Sequence, residues 1–311
     1  MSDATAQHVV TGAGPVGHTV ATQLAQAGHP VRVLTRSGSG PQHPLVERVR
    51  VVVSDERALR AALGEAHTVF HCVHAPYTVR AWQDTLPVTE QVVLRAAGEA
   101  VVVFPESLYS YARSGEVMTE EGPRTASGGK RGVRSALLAA RQESHTPTVS
   151  VVASDFFGPH AVNAHAGEHM VPTVLAGRRV RVMAGADTLH SFTYVPDLAR
   201  AMVAAAARTD LHGTVLHAPT GPALTQRQMV HALAAAAGVP AKVGVIPAWV
   251  VRAGGLLPGA LHEMTETLYQ FTAAFVMDSA RTQTLLGLSP TPLEQAARET
   301  VDWWRARALA A

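Results

Sequence analysis

The sequence predicts an α/β protein built on a doubly wound parallel sheet, with a smaller C-terminal substrate lobe. Short apolar runs alternate with helix-like stretches up to residue 155, which is the pattern of parallel βαβ units. The runs are apolar throughout because helices cover both faces of such a sheet. After residue 155 the alternation gives way to short strands and Gly/Pro-rich stretches, which predicts the second lobe. The predicted strands are 7–11, 31–35, 49–53, 68–72, 101–104 and 148–153, and the predicted helices are 15–27, 56–63, 84–97 and 130–143.

The first strand ends in a glycine pattern that predicts a dinucleotide site. The run His8–Thr11 leads into Gly-x-Gly-x-x-Gly at 12–17, then into a helix-like stretch and a second strand. Gly12 permits a tight turn, Gly14 lets the backbone approach a pyrophosphate, and Gly17 lets the helix lie close to the sheet. The helix N-terminus offers free N–H groups and the positive end of its dipole to the phosphates. The cofactor contacts predicted here are Gly12, Gly14, Pro15, Val16 and Gly17.

The second half of the chain predicts shorter elements. We expect strands at 180–183, 191–195 and 214–218 and helices at 197–208, 225–237 and 292–308. The predicted organisation is a dinucleotide-binding core over 1–155, to which 191–218 returns, a substrate lobe formed by 156–190 and 220–290, and a C-terminal helix over 292–308. Ligands bind at the carboxyl ends of the strands in an open α/β sheet, so the site is expected between the two lobes.

Composition excludes several classes of protein. Of the 311 residues, 47% are hydrophobic and 16% are charged, an ordinary globular balance without an apolar run long enough to span a bilayer. The net charge of +2 comes without a run of Lys or Arg, so nucleic acid is not an expected partner. Cys72 is the single cysteine, and no secretion-signal pattern is seen, so we expect a cytoplasmic protein with a small-molecule substrate. The sequence leaves open whether the protein forms a homodimer.

The end of the second strand predicts NADP as the cofactor. NAD enzymes commonly place Asp or Glu there to bind the ribose 2′-OH, but this chain has Thr35, Arg36 and Ser37. A carboxylate would repel a 2′-phosphate, whereas a guanidinium pairs with it through two hydrogen bonds. We therefore expect Arg36 and Ser37 to contact the 2′-phosphate. Alternatively, Arg36 is a solvated residue at the end of the strand, and the protein binds NAD without preference for NADP.

Six segments are similar to motifs of one superfamily: Thr11–Gly17, Val52–Asp55, Phe104–Tyr111, Met118–Pro123, Asp155–Pro159 and Ser191–Asp197. Together they resemble the short-chain dehydrogenase/reductase superfamily, in its extended or atypical branch of NAD-dependent epimerase/dehydratase-like proteins. The resemblance covers nearly the whole chain and implies a Rossmann-type fold. It is specific for the superfamily and not for a substrate.

The resemblance implies roles for individual residues. Asp55, at the end of the third strand, would contact the adenine, and Ser107 stands where the family keeps a catalytic Ser or Thr. Asp197 would be the N-cap of a late helix. The family's catalytic acid is a Tyr four residues before a Lys, and here Lys130 is preceded at that distance by Ala126. Either another group donates the proton, or the protein does not perform the family's usual carbonyl chemistry.

Without a tyrosine at position 126, the proton donors near the fifth strand are Ser107, Tyr109 and Tyr111. Tyr109 is the first candidate, because a reductase needs a donor within hydrogen-bond reach of the developing alkoxide. Ser107 would orient the substrate, and Lys130 would hold the nicotinamide ribose. In the alternative, Tyr109 and Tyr111 are amphipathic walls of the cleft, and Lys130 is a solvated charge in a glycine-rich loop. Tyr77 follows the fourth strand; we interpret it as a wall of the cleft too, with a position facing the nicotinamide end as the alternative.

The histidines do not form a metal site at a familiar spacing. His165 and His169 are four residues apart, but Gly167 between them weakens a helix. No set of Cys or carboxylate residues completes a site, so no metal is predicted.

The main hypothesis is an NADP-binding oxidoreductase that acts on a small carbonyl or enone-like substrate. One alternative is a nucleotide-sugar epimerase or dehydratase, against which the missing tyrosine counts. Another is a non-catalytic NADP-binding redox sensor.

Overall fold

The computed structural model contains a seven-stranded sheet with helices on both faces and describes residues 7–111, 115–256 and 259–309. Its strands are β1 (His8–Thr11), β2 (Val31–Thr35), β3 (Val46–Arg50), β4 (Thr68–His71), β5 (Val101–Ser107), β6 (Val117–Met118), β7 (Thr148–Ala153), β8 (Asp155–Phe157), β9 (Val180–Met183), β10 (Leu189–His190), β11 (Phe192–Tyr194), β12 (Thr214–His217), β13 (Leu224–Thr225), β14 (Val243–Ile246) and β15 (Val276–Met277). Its helices are α1 (Pro15–Gln26), α2 (Glu56–Leu63), α3 (Val79–Ala97), α4 (Gly129–Gln142), α5 (Val171–Leu175), α6 (Val195–Ala206), α7 (Gln226–Ala237), α8 (Ala248–Gly254), α9 (Ala260–Thr265), α10 (Tyr269–Thr272), α11 (Ala280–Leu286) and α12 (Leu293–Leu309).

The main sheet has the order β12-β7-β5-β4-β1-β2-β3, and its neighbouring strands all pair in parallel. This confirms the predicted doubly wound α/β fold. Strand β1 lies between β4 and β2, so the strand order reverses direction there. Such a reversal leaves a crevice at the carboxyl ends of the strands, where ligands bind in sheets of this type. The glycine loop after β1 lies at that crevice.

Helices cover both faces of this sheet. On one face, α1 and α6 pack against each other and over Val10, Val33 and Val151. On the other face, α2 and α3 pack over Val9 and Val102. The neighbours Val9 and Val10 are both fully buried, because successive side chains of a strand point to opposite faces. Burial on both sides explains why the strands are continuously apolar in sequence.

A second apolar core involves elements that follow β7. It joins β9, β11 and helices α5, α7 and α12, with Met229 and Trp304 among its buried side chains. Strand β9 pairs with β14, and β11 pairs with β8 outside the main sheet, whereas β12 joins the edge of the main sheet beside β7. The domain limits drawn from the sequence stay a prediction. In the described ranges, we find no helix with the length and apolarity to cross a bilayer.

Two element boundaries differ from the prediction for reasons of hydrogen bonding. Strand β3 covers 46–50 and not 49–53, because it pairs with β2 only as far as Thr35. Beyond that pair, the N–H of Val51 makes one last bond to the Thr35 carbonyl at 3.0 Å. Helix α3 begins at Val79 and not at residue 84, because the Thr78 hydroxyl caps it by accepting a hydrogen bond from the N–H of Ala81.

Asp197 is not the N-cap that the motif resemblance implied. Helix α6 begins at Val195, so Asp197 occupies its third position and is buried. Its carboxylate accepts hydrogen bonds from the N–H and hydroxyl of Thr291, at 2.7 and 2.6 Å, and from Arg200 at 2.7 Å. The residue therefore ties α6 to the segment that precedes α12.

Candidate functional site

The loop between β1 and α1 has the shape that a pyrophosphate needs. The φ angle of Gly12 is +86°, and a Cβ there would lie 2.9 Å from the carbonyl group of Cys72. A Cβ on Gly17 would overlap the carbonyl oxygen of Gly12. A Cβ on Gly14, by contrast, would meet nothing within 4 Å. Gly14 thus borders open space at the start of α1, and the residues present fit a dinucleotide.

The first turn of α1 leaves its N–H groups available to an anion. Gly14 occupies the N-cap position and has no side chain with which to cap the turn. Pro15 follows as the first helical residue, where its missing N–H costs nothing. Val16 is buried, so its backbone rather than its side chain is available to a ligand. Phosphates bind at helix N-termini of this kind.

The turn after β2 exposes the predicted NADP-selecting residues. Arg36 is exposed, and within the described residues it has neither a hydrogen bond nor an ion pair. The Ser37 hydroxyl donates to the hydroxyl of Ser39 at 2.8 Å, and the Thr35 hydroxyl donates to the Ser39 carbonyl at 3.0 Å. A free guanidinium beside a hydroxyl is therefore presented at this edge of the sheet, with no carboxylate between 35 and 40.

Asp55 follows β3 and acts as the N-cap of α2. Its Oδ1 accepts a hydrogen bond from the N–H of Ala58 at 3.0 Å. The side chain is therefore used within the fold, and its contact with an adenine stays a prediction.

Lys130, the lysine that the family motif points to, is fully buried at the start of α4 and is not a solvated loop residue. Its Nζ donates to Oε2 of Glu263 at 2.6 Å and to the Glu263 carbonyl at 2.9 Å. Oε2 of Glu266 lies 3.3 Å away. Burial favours a raised pKa for Glu263, but the hydrogen bond and charge of Lys130 outweigh it and lower the pKa. Ala126, four residues earlier, is buried, and its N–H donates to the carbonyl of Ser110 at 3.0 Å.

The glycines before Lys130 make room for a carboxylate. Gly129 has a φ angle of +51°, and a Cβ there would overlap the carboxylate of Glu266. That carboxylate accepts a hydrogen bond from the N–H of Arg131 at 3.1 Å, while Glu263 accepts one from the N–H of Val79 at 3.1 Å. Two glutamates three residues apart thus bind the N-terminal turns of α3 and α4 as well as the lysine.

Ser107 ends β5 beside a buried ion network that the sequence analysis missed. Its N–H donates to Oε1 of Glu106 at 2.7 Å. The carboxylate of Glu106 lies 2.9 Å from Arg141 and 3.4 Å from Arg134, and Arg141 also binds Glu90 at 2.6 Å. These charges fix the end of β5. Arg134 and Arg141 are seven residues apart, which places both on one face of α4. This spacing is the sequence feature that could have indicated the network.

Tyr109 and Tyr77 form a hydroxyl pair at the carboxyl ends of β5 and β4. Their oxygens are 2.8 Å apart, and the Tyr77 hydroxyl also donates to Thr267 at 3.5 Å. The Nζ of Lys130 lies 4.7 Å from the centre of the Tyr77 ring. Burial raises the pKa of Tyr109 well above its ordinary value, and the charges of Tyr77 and Asp155 raise it further. The pKa of Tyr77 is also raised by burial, with partial opposition from Thr267, Tyr109 and Lys130.

Tyr111, the other predicted candidate after β5, does not join this pair. Its side chain is buried, and its hydroxyl donates to the carbonyl of Thr119 at 2.8 Å. The same oxygen lies 2.6 Å from Nε2 of His217. Burial raises the pKa of Tyr111 to about 12. The residue belongs to the packing between β5 and β12.

A buried acid–imidazole pair, which the sequence analysis also missed, involves β8 and β10. Nε2 of His190 lies 3.1 Å from Oδ2 of Asp155, and its Nδ1 lies 3.3 Å from the Gln270 carbonyl. The rings of Phe271 and Phe275 stack on the imidazole at centroid distances of 5.1 and 5.2 Å. Burial favours a raised pKa for Asp155, but the hydrogen bond and charge of His190 lower it. The field of this carboxylate reaches the tyrosine pair.

The two histidines at chelate spacing, His165 and His169, bind protein groups. His165 lies 2.6 Å from the Gln226 amide oxygen, and His169 lies 2.8 Å from the Arg181 carbonyl. Among the residues for which positions are described, no three His, Cys, Asp or Glu side chains are grouped so as to hold a metal ion.

Comparison with known proteins identifies the family. Residues 8–217 match the sequence model of the NAD dependent epimerase/dehydratase family. The chain belongs to this family. Comparison with the curated proteins gave no match.

Solved structures of epimerases share the fold of this family member at low identity. The epimerase Mth375 from Methanothermobacter thermautotrophicus is 18% identical with a TM-score of 0.76, over 97% of this chain and 93% of that one. The UDP-glucuronic acid 4-epimerase from Bacillus cereus, in complex with NAD, is 17% identical with a TM-score of 0.75, over 98% of both chains. The UDP-glucose 4-epimerase from Thermus thermophilus, also in complex with NAD, is 22% identical with a TM-score of 0.72, over 96% of this chain and 98% of that one.

Membership of the epimerase/dehydratase family confirms the resemblance inferred from the six motifs. The roles of Ser107, Tyr109 and Lys130 in catalysis stay predictions, as do the contacts of the glycine loop, Arg36, Ser37 and Asp55 with a cofactor. The geometry brings Ser107, Tyr109 and Lys130 to the same edge of the sheet.

Proposed function

We propose that this protein is an NADP(H)-dependent reductase of a small carbonyl or enone-like substrate. The observation that carries the proposal is the Tyr77–Tyr109 hydroxyl pair at the carboxyl edge of the sheet, with its raised pKa values. Phenols of this kind keep their protons at neutral pH. They can therefore donate to an oxygen that gathers negative charge as a carbonyl is reduced.

The same observation disfavours nucleotide-sugar epimerisation. That chemistry begins with the oxidation of a sugar hydroxyl, which needs a base to accept the hydroxyl proton. A tyrosine becomes such a base only when its pKa is lowered, for example by a nearby unpaired cation. Here the charge of Lys130 is offset by Glu263 and Glu266, and alanine stands at position 126. The binding of UDP-sugars and NAD by solved relatives is a property of those proteins, and their identity to this chain is below 25%.

Selection of NADP is supported by the turn after β2. Arg36 is exposed and free to pair with a 2′-phosphate, and the neighbouring Ser37 hydroxyl would donate to the phosphate in place of Ser39. No carboxylate stands at the end of β2 to bind an unmodified ribose 2′-OH or to repel the phosphate. The Bacillus cereus and Thermus thermophilus structures named above contain NAD, so cofactor preference is the property in which this chain is proposed to differ.

The test is substrate-dependent loss of NADPH absorbance with a panel of ketones, aldehydes and enones. Parallel incubations with UDP-glucose and UDP-glucuronic acid are analysed for epimerised or dehydrated products. We expect turnover with a member of the carbonyl panel and none with the sugar nucleotides. Sugar-nucleotide turnover by protein that copurifies with oxidised cofactor would replace the proposal with an epimerase function.

A redox sensor is the second candidate, and the sequestration of Lys130 favours it. A lysine paired with two carboxylates, in a chain without a tyrosine at position 126, is what we would expect in a site that binds a dinucleotide and performs no chemistry. A sensor would bind NADPH tightly, respond differently to NADPH and NADP⁺, and remain inert on the whole carbonyl panel. Calorimetric titrations with both cofactor forms, run beside the activity panel, separate the two candidates.

A further inference from the structure

Tyr77 is the most exposed of the five tyrosines. The chain contains five tyrosines, and Tyr77 is 42% exposed. Tyr111 and Tyr194 are buried, with hydroxyls bonded to Thr119 and Glu299 respectively. The hydroxyl of Tyr269 is buried, and its ring packs 4.4 Å from the guanidinium of Arg131.

Tyr109 is less exposed than Tyr77 and contacts its hydroxyl. The Tyr109 ring is half-buried and stacks on Trp82 at a centroid distance of 6.0 Å, while Trp82 meets the Tyr77 ring edge-on at 5.6 Å. Either hydroxyl can donate across the 2.8 Å contact, and when the Tyr77 O–H points to Thr267, the proton between the two phenols is supplied by Tyr109. This arrangement holds the Tyr77 oxygen in place and stabilises negative charge that develops on it.

Lys130 completes the surroundings of Tyr77. Its Nζ lies 4.7 Å from the centre of the Tyr77 ring, although the two residues are 53 positions apart in the chain and lie on different elements. An ammonium group over a phenol ring attracts the ring, and this contact holds Tyr77 in place. A tyrosine and a lysine are therefore adjacent in space even though position 126 holds an alanine.

We propose that Tyr77, supplied by the loop after β4, is the catalytic proton donor of this protein and that Tyr109, which contacts its hydroxyl, is a positioning residue. The inference rests on the proposed reductase function and changes the assignment within it. A bound reduced nicotinamide supplies the hydride and is oxidised. The carbonyl carbon accepts that hydride, the electron pair of the C–O π bond moves to oxygen, and this oxygen takes the proton of Tyr77. The substrate becomes an alcohol, and the Tyr77 phenolate regains a proton from water.

Three tyrosine-to-phenylalanine variants test the assignment by kcat on the best carbonyl substrate. Tyr77→Phe keeps the ring and is expected to lower kcat by about 10²- to 10⁴-fold, the usual loss for a general acid. Tyr109→Phe removes one hydrogen bond to Tyr77 and should lower kcat by only about 2- to 12-fold. Tyr269→Phe is the matched control and should retain wild-type activity. Near-wild-type activity of Tyr77→Phe, or a larger loss in Tyr109→Phe than in Tyr77→Phe, overturns the proposal.

A spectroscopic readout judges the position of Tyr77 without turnover. The protein is prepared with tyrosine isotopically labelled at Cζ, and the resonances of Tyr77, Tyr109 and Tyr269 are assigned from the phenylalanine variants, which leaves Tyr111 and Tyr194 as the remaining two. Addition of NADP⁺ alone should shift the Tyr77 resonance most, that of Tyr109 less, and those of Tyr111 and Tyr194 not at all. An unmoved Tyr77 resonance in protein that binds NADP⁺ overturns the proposal. An inert wild type in which Tyr77 shifts as expected contradicts the reductase function but supports the placement of Tyr77 at the nicotinamide.

Discussion

Substitution of each of the three glycines in the first loop should affect stability and cofactor binding differently, and Gly14→Val is the decisive variant. The backbone of Gly14 is at φ −68° and ψ −174°, which any residue adopts, and a Cβ there has no neighbour within 4 Å. The free energy of unfolding should therefore change by less than about 1 kcal/mol, because the gain from a stiffer unfolded chain is offset by the poorer N-cap that valine makes.

Binding of NADPH should suffer far more than stability. A side chain at position 14 occupies the space that a pyrophosphate needs in order to reach the N–H groups at the start of α1. A hydrogen bond to a charged group contributes about 1.5–3 kcal/mol. Loss of two such bonds weakens binding by at least about 3 kcal/mol, which is more than about 100-fold in Kd.

The controls are Gly12→Ala and Gly17→Ala, which place a methyl group against backbone. Gly12 has φ +86° and would approach the Cys72 carbonyl, and a Cβ on Gly17 would overlap the Gly12 carbonyl oxygen. Each should lose about 1–3 kcal/mol of unfolding free energy. Calorimetric titration with NADPH and urea unfolding measure the two quantities. The reasoning is refuted if Gly14→Val binds NADPH normally, or if it loses as much stability as Gly17→Ala.

Three further predictions concern charged side chains. Arg36→Ala should weaken NADPH binding by about 1.5–3 kcal/mol and leave NADH binding nearly unchanged; equal losses in calorimetry would contradict the NADP assignment. Asp155→Asn should lower the free energy of unfolding by about 1.5–3 kcal/mol at neutral pH, because it removes the charged acceptor of the hydrogen bond from His190. Because the pKa of Asp155 is lowered in the folded state, the stability that its carboxylate contributes is present above about pH 4 and is lost as the pH falls through the folded-state pKa. The difference in free energy of unfolding between wild type and Asp155→Asn, measured by urea unfolding, should therefore narrow in that pH range. Glu106→Gln leaves two buried guanidinium groups underpaired and should lower the free energy of unfolding by about 3–5 kcal/mol. The control Glu47→Gln removes an exposed ion pair and should lower it by less than about 1 kcal/mol. Similar losses in the two variants would count against a structural role for the Glu106 network.

The parts of the fold that the sequence predicted are those with a local signal. The alternation of apolar runs and helix-like stretches marks the main sheet because each strand is buried on both faces, and Val9 and Val10 illustrate this directly. The glycine loop was also predictable, because the spacing of Gly12, Gly14 and Gly17 is a local pattern in the sequence. Boundaries were less accurate where a single side chain sets them, as the hydroxyl of Thr78 does for α3.

The candidate site was predicted less well because its contacts join distant parts of the chain. Glu263 is 133 positions from Lys130, and Tyr77 is 32 positions from Tyr109. No periodicity or spacing indicates which carboxylate approaches which ammonium across such separations. The residue types were visible in sequence, so Tyr77 could be named as a neighbour of the cleft, but only the packing of the loop after β4 against α4 brings it under Lys130.

The burial of Lys130 connects the missing tyrosine with the carboxylates of the α9 segment. An ammonium group removed from water is strongly destabilising unless hydrogen-bonded partners surround it. Ala126 has no side-chain polar atom to offer, and Glu263 and Glu266 supply the compensating charge at 2.6 and 3.3 Å. Gly129 belongs to the same arrangement, because a side chain there would displace the Glu266 carboxylate. These positions act as one unit, so a tyrosine reintroduced at position 126 alone would meet a lysine whose charge is already neutralised and would not become a base.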